Sequence, residues 1–200
     1  MPKLLIIAGC NGSGKSSFSK AFTNAPLIPY DYDKIFKDKY DSLIPSGFRD
    51  TMAHNMARKD LKEKIYGAID NNIDFCYETN FNTTPLYWPK IFKANGYKLE
   101  IVFFCLDSIE KAKKRVMIRF ENGGHFVPDN EVVERYHLGF KNINAHWTYF
   151  DTVSLFETST YNTTPKHLIT IERQNLIVVN SSPKYLISKI PSIIEFIEVV

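Results

Sequence analysis

A parallel β-sheet sandwiched between helices is the architecture this 200-residue sequence predicts, and three observations point there. Short apolar runs that read as doubly buried strands alternate with segments whose apolar residues recur at helical spacing. One of those runs, Leu4-Leu5-Ile6-Ile7-Ala8, leads directly into Gly9-Cys10-Asn11-Gly12-Ser13-Gly14-Lys15-Ser16, with a helix expected from Ser16 to Phe22. The length suffices to bury the core of one α/β domain without disulfides or structural metal, so a single domain over 1–200 is expected.

The glycine-rich run also carries chemistry. It fits G-x-x-x-x-G-K-[ST] in the strand–loop–helix context that the pattern requires. Its glycines let the backbone close around phosphates, with successive N–H groups turned inward at a helix N-terminus. Gly9, Asn11, Gly12, Ser13, Gly14, Lys15, Ser16 and Ser17 are therefore expected to bind a nucleoside triphosphate. Lys15 would sit on the β- and γ-phosphates, and the Ser16 hydroxyl would ligate Mg²⁺. A bare glycine turn with a solvated lysine is the competing reading; strand, spacing, lysine and serine together argue against it. The fold expected is thus that of a P-loop NTPase.

Bulk properties exclude several classes. Apolar residues are 44% and charged residues 24% of the chain, ordinary for a globular protein, and a net charge of +3 is too mild to argue for nucleic acid. Cys10, Cys76 and Cys105 have no metal-ligand spacing, and two of them lie in apolar runs, so a reducing compartment is expected. Ile7-Ala8-Gly9-Cys10 resembles the end of a lipoprotein signal, but the apolar segment before it is too short. No stretch approaches the ~20 apolar residues of a membrane span. A cytoplasmic protein with neither nucleic-acid nor membrane partners is expected.

After the first helix, Ala25 to Asp33 reads as a second strand, followed by a helix from about Lys34. Asp31 and Asp33 would then lie at the carboxyl edge of the sheet, where ligands bind in open α/β folds. A carboxylate there can take the proton of an attacking hydroxyl or help hold Mg²⁺ through water. Capping of the next helix is the alternative job for Asp33. Between Pro45 and Asn71 a helix is expected to pack through Phe48, Met52, Met56, Leu61, Ile65 and Ile69. Asn72 to Glu78 reads as a strand ending in Glu78-Thr79-Asn80, three polar residues suited to binding a polyhydroxylated substrate; a strand-end turn through Pro85 is the simpler alternative.

Tyr97 to Leu106 is the next buried strand, and Asp107-Ser-Ile-Glu110 reads as a capping box for a helix through Phe120. Ile109, Ala112, Val116 and Phe120 form its core stripe. Arg115 and Arg119, four apart, share one face and suit the charge of a phosphoryl group in transfer. Glu121 to Pro128 contains a Gly-Gly turn and His125, the latter assigned a structural role. A second helix follows, with Val132, Val133, Tyr136, Phe140, Ile143 and Trp147 as its stripe and Arg135 as a further phosphate-binding candidate. The two helices, residues 107–147, are expected to form a lid. Thr152 to Phe156 reads as a strand, Leu168 to Arg173 and Leu176 to Val179 as a hairpin, and Ile187 to Val200 as a helix interrupted or started at Pro191. The nucleotide base is expected near Phe156 to Tyr161.

The phosphate loop, the Asp after the second strand, Glu-Thr after the third, and Arg115-Val-Met-Ile-Arg119-Phe-Glu-Asn-Gly-Gly-His125-Phe-Val-Pro128 together resemble the zeta toxin family of P-loop kinases. The resemblance runs from about Lys3 to Phe156. It implies ATP-dependent phosphoryl transfer to a hydroxyl of a UDP-N-acetyl-amino sugar, with Asp33 as base and Lys15 and Ser16 holding nucleotide and Mg²⁺. It further implies Glu78 and Thr79 as substrate contacts, beside which Asp31 and Asn80 are candidates by position, with Arg115, Arg119 and Arg135 as candidates for the phosphate clamp and an antitoxin protein as partner if the chain is a toxin. The residues around Asp33 and after Glu78 (Tyr30-Asp31-Tyr32, Thr79-Asn80-Phe81) depart from the family pattern. A kinase for another small metabolite, antibiotic or nucleotide is the first alternative. A nucleotide-dependent switch with little transfer is the second.

Overall fold

In the computed structural model, which describes residues 1–124 and 126–199, four strands run parallel: β1 (Lys3–Ala8), β2 (Phe75–Thr79), β3 (Lys98–Cys105) and β4 (Thr152–Glu157). Two antiparallel strands, β5 (Lys166–Glu172) and β6 (Asn175–Val179), extend the sheet into the order β2-β1-β3-β4-β5-β6. β1 alternates Leu4, Ile6 and Ala8 into one core with Leu5 and Ile7 into another, all of them buried. A strand apolar on both faces needs cover on both, which explains its continuous run.

The helices are α1 (Lys15–Phe18), α2 (Tyr32–Ser42), α3 (Arg49–Asp70), α4 (Tyr87–Ala94), α5 (Ile109–Glu121), α6 (Asp129–His146), α7 (Lys184–Lys189) and α8 (Pro191–Val199). The larger core lies between the sheet and α6, α8 and α4, where Phe103, Tyr136, Phe140 and Ile143 meet. On the opposite face Phe18, Phe22 and Leu27 cover Leu5, Ile7 and Phe104.

Several expected elements come out differently. Ala25 to Asp33 is not a strand. Only Tyr30 bridges to Tyr77, and the chain turns at once into α2, which begins at Tyr32 rather than near Lys34. Asp31 caps that helix, accepting from the Lys34 amide at 3.1 Å. The first helix keeps α geometry only to Phe18 and finishes as a 3₁₀ turn over Ser19–Phe22. α5 is capped by Ser108 through the Lys111 amide, while Asp107 pairs with the Lys111 side chain instead of forming the expected box. α4 went unread in the sequence. Its 8 residues are too short to show a helical period clearly, and Pro89 stands in its first turn.

The expected face of α3 holds at Leu61, Ile65 and Ile69, which pack on the main core, but is rotated in the first half of the helix. Ala53, Ala57 and Ile65 are buried, whereas Phe48, Met52 and Met56 are exposed at 75%, 47% and 39%. The small residues win because α2 lies close against them, with Phe36 in their cluster. α5 and α6 both bury side chains in the main core, Ala112 and Val116 from one and Val132, Tyr136, Phe140 and Ile143 from the other.

α6 also fixes a loop at the cleft. Asn142 donates through Nδ2 to the carbonyls of Phe81, at 2.9 Å, and Asn82, just where Phe81 adopts a left-handed φ of 54°. Replacing Asn142 with Ala strands two partly buried carbonyls. A loss of about 1–3 kcal/mol in unfolding free energy is expected, measured by urea denaturation, with faster hydrogen exchange in residues 81–84.

Candidate active site

The glycine-rich loop leaves the carboxyl end of β1, where the chain continues toward β2 on one side and β3 lies on the other. In an open α/β sheet that position opens a crevice. The crevice here has a volume of about 620 Å³ and runs across the sheet edge from α4, over the loop, to the segment after β4. That is within the roughly 300–1,000 Å³ of small-molecule sites.

The loop is packed too closely to tolerate side chains at two glycines. A Cβ on Gly9, at φ +145°, would lie 2.6 Å from Ser13 Oγ and 2.8 Å from the Phe104 carbonyl. A Cβ on Gly12, at φ +76°, would lie 2.8 Å from the Ala112 carbonyl of α5. Both positions combine a left-handed φ with a close backbone approach, the two demands that only glycine meets without strain. Ser13 is fully buried and its hydroxyl has no hydrogen-bond partner.

Lys15 Nζ donates to the carbonyls of Gly9 and Cys10 at 2.8 and 3.1 Å, and to Asn80 Oδ1 at 3.0 Å. These three acceptors account for all three ammonium hydrogens. Burial holds the Lys15 pKa below its ordinary value, partly offset by Cys10, Asp33 and Glu78. Asn80, expected on the substrate, thus reaches back to the lysine. Burial also pushes the Cys10 thiol up to about 11, so it stays neutral beneath the loop.

Ser16 Oγ lies between two carboxylates, 2.9 Å from Asp31 Oδ2 and 2.7 Å from Glu78 Oε2. One hydroxyl proton cannot serve both at once. The Glu78 pKa is raised by burial first and by the charge of Asp31 among the lesser causes. A protonated Glu78 that donates to Ser16, which donates to Asp31, satisfies all three groups. A divalent cation would satisfy them with both carboxylates ionised, because carboxylate and hydroxyl oxygens are the hard donors that Mg²⁺ prefers. Asp33, in the first turn of α2, lines the same crevice. Thr79 lines it too, and its Oγ1 accepts from the Phe81 amide at 3.0 Å.

Across the loop, Arg115 donates to the carbonyls of Gly12 (3.1 Å), Thr158 (2.7 Å) and Ser159 (3.1 Å). It braces α5, the glycine loop and the segment after β4, and the Tyr161 ring stands 5.6 Å from its guanidinium. Arg119, one turn on, also lines the crevice. Gly124 closes against it, since a Cβ there would fall 2.7 Å from Arg119 Cγ. Arg135 lies apart from the crevice lining, held by Glu131 and by Asn11 Oδ1 at 3.3 Å. Asn11 and Ser17 take different places: Asn11 is buried behind the loop, whereas Ser17 lines the crevice with Gly14. His125 lies outside the described residues.

The crevice also has walls that motif reading missed. Tyr77, Tyr87 and Trp88 line the end beyond Glu78, with Asn82 and Thr83 beside them. The aromatic pair Tyr87-Trp88, so close behind a polar strand end, was the available signal.

If Glu78 and Asp31 converge on a cation, its binding depends on Glu78 losing its proton. Glu78 holds that proton above the usual glutamate range, so Mn²⁺ affinity should rise with pH from about 4.5 upward and level off once Glu78 is ionised. Titrations by electron paramagnetic resonance would follow it; Glu78→Gln should weaken binding at neutral pH and flatten the dependence.

Comparison with known proteins bears on the family and the fold. The zeta toxin family profile matches residues 1–175. An uncharacterized protein of Haemophilus influenzae is 27% identical over 139 residues, spanning 67% of this chain and 92% of that one. In structure, the chain resembles the PezAT toxin–antitoxin system of Streptococcus pneumoniae, with a TM-score of 0.62 at 11% identity, covering 100% of this chain and 84% of the other. It also resembles a candidate kinase of Chloroflexus aurantiacus, with a TM-score of 0.55 at 17% identity, covering 68% and 78%. The two structural likenesses are ones of fold; the family match spans most of the chain. With its phosphate loop, its paired carboxylates at Ser16 and its arginine-bearing α5, the chain belongs to the zeta toxin family of P-loop kinases.

Proposed function

We propose that the protein transfers the γ-phosphoryl group of ATP to a hydroxyl of a small acceptor. One observation carries this reading: Lys15, Ser16, Asp31, Asp33 and Glu78 converge on one crevice at the carboxyl end of β1, with Arg119 facing them across the loop.

In this reading the loop's backbone amides bind the phosphates, and Lys15 exchanges some of its protein acceptors for phosphate oxygens. Ser16, with Asp31 and Glu78 around it, would hold Mg²⁺. Such an ion, when bound, would offset the negative charge of the phosphates. Asp33 orients the acceptor hydroxyl and takes its proton, since it lines the crevice and is not consumed by a cap. Arg119 offsets the charge that spreads over the transferring group. Arg115 holds Gly12 and the 158–159 carbonyls in register rather than meeting phosphate first. The closing element is the end of α5 with its Gly-Gly turn, because both helices of the expected lid are anchored in the core. The family likeness nominates a UDP-N-acetyl-amino sugar as the first acceptor to try.

Phosphorus NMR of the protein with ATP, Mg²⁺ and UDP-N-acetylglucosamine tests the chemistry. Lys15→Ala should abolish nucleotide-dependent activity. Asp33→Asn should keep ATP binding while lowering kcat by about 10²–10⁴, and full retention of rate would remove Asp33 from its role. Gly124→Ala should displace Arg119 and lower kcat more than it raises KM for ATP.

A further inference from the structure

Three acceptors hold the Lys15 ammonium, and they are not alike. The carbonyls of Gly9 and Cys10 belong to loop backbone that is pinned elsewhere. The Gly9 amide donates to the Thr79 carbonyl at 3.2 Å, and the Cys10 carbonyl also accepts from the Ser13 amide at 3.2 Å. Neither Gly9 nor Cys10 lines the crevice. Asn80 does, and its Oδ1, 3.0 Å from Lys15 Nζ, is the one acceptor of the three carried on a side chain. A phosphate reaching Lys15 from the crevice therefore arrives on the side of Asn80.

The backbone and side chain of Asn80 differ in freedom. The backbone is clamped. The Phe81 amide donates to Thr79 Oγ1 at 3.0 Å, Asn142 holds the Phe81 and Asn82 carbonyls, and Gly139 of α6 lies against the Asn80 carbonyl. The Asn80 side chain makes no further hydrogen bond among the described residues, so rotation about its own torsions withdraws the carboxamide from Lys15.

Chemistry ranks the competitors for the lysine. In an empty loop the half-buried ammonium needs an acceptor, since burying it unpaired is costly. A neutral carboxamide oxygen meets that need, yet it holds an ammonium less strongly than a phosphate oxygen, whose bond is charge-assisted on both sides. An aspartate in the same place would bind the lysine as an ion and repel the phosphate. Asn80 also falls in Thr79-Asn80-Phe81, where this chain departs from the family pattern.

We propose that Asn80 is an internal stand-in for phosphate, filling one position on Lys15 in the empty loop and expelled by the β- or γ-phosphate of an incoming nucleotide. The proposal rests on reading the loop as a nucleotide site and adds a selectivity element to it. The lysine of such a loop serves the β- and γ-phosphates. A nucleoside monophosphate thus leaves the Lys15–Asn80 contact intact, whereas a di- or triphosphate has to break it. Asn80 keeps the lysine in place for these ligands and lowers their affinity.

Binding of ATP and ADP to the full chain would be followed by calorimetry, and that of AMP by competition with ADP. Asn80→Ala is expected to bind ADP and ATP at least threefold more tightly than wild type, with AMP unchanged. In the wild type, the assigned side-chain amide signal of Asn80 should move in NMR spectra on adding ADP and stay in place on adding AMP, a readout that does not depend on any variant folding. Weaker binding of ADP and ATP by Asn80→Ala would mean that Asn80 contacts the phosphates, and would overturn the proposal. Unchanged affinity, an equal change for all three nucleotides, or an Asn80 signal indifferent to ADP would overturn it as well. If wild type and Lys15→Ala bound ADP alike, or neither bound it, the nucleotide reading itself would fall and the proposal with it.

Discussion

The cleft depends on how closely the phosphate loop is pressed against its neighbours. Gly9 meets the end of β3 through the Phe104 carbonyl, and Gly12 meets α5 through the Ala112 carbonyl, each at a distance that no Cβ could share. These contacts tie the loop to the two elements on which the rest of the site is built. Arg115 adds a third tie, because its guanidinium reaches Gly12 and the 158–159 carbonyls at once. Its desolvation, which lowers its pKa, is partly offset by the charge of Asp107, while its hydrogen bonds go to carbonyls.

On that frame, the charged groups of the loop satisfy one another. Lys15 is bound to two loop carbonyls and Asn80, and Ser16 sits between Asp31 and Glu78. Each of these contacts occupies an atom that a phosphate or a cation would otherwise use. Substrate binding is then an exchange of partners more than a gain of new ones. Such exchange keeps the half-buried lysine solvated by protein in both states, since leaving a charge unpaired in a desolvated loop is costly.

The sequence was most informative where local geometry and chemistry coincide. The phosphate loop needs glycines at fixed offsets and a helix immediately after, so its position, its lysine and its serine were all readable. The pairing of Arg115 and Arg119 on one face followed from a four-residue spacing, and both line the crevice. What was not readable depended on tertiary contact. Asn80 meets Lys15 across 65 positions of sequence, and α6 presses on its backbone at Gly139, where a Cβ would come 3.0 Å from the Asn80 carbonyl. Asp31 and Glu78 are 47 positions apart, and only the bridge between Tyr30 and Tyr77 brings them to the same hydroxyl. The alternation of Tyr30, Asp31, Tyr32 and Asp33 imitates a strand, yet the Asp31 cap ends it after a single bridge. On α3, apolar period alone chose Phe48, Met52 and Met56, whereas close helix contact chose the alanines.

The arginine-bearing helices raise the question of what can move. A lid made of α5 and α6 entire would have to withdraw Val116, Val132, Tyr136, Phe140 and Ile143 from the core, each buried to within a few per cent. At about 1.5–3 kcal/mol per large apolar side chain, that motion would cost most of a typical domain's stability. The Tyr136 hydroxyl would also lose its 2.8 Å bond to the Leu106 carbonyl. The exposed stretch is different. Met117 and Phe120 are largely solvent-facing on α5, and Phe120 packs edge-on against Phe126 across the turn, 5.2 Å between rings. Motion at that end costs little burial and carries Arg119 with it, because Gly124 is stacked directly on that side chain. The physical boundary of any closing element therefore falls between Val116 and Arg119, where anchorage in the core gives way to exposure.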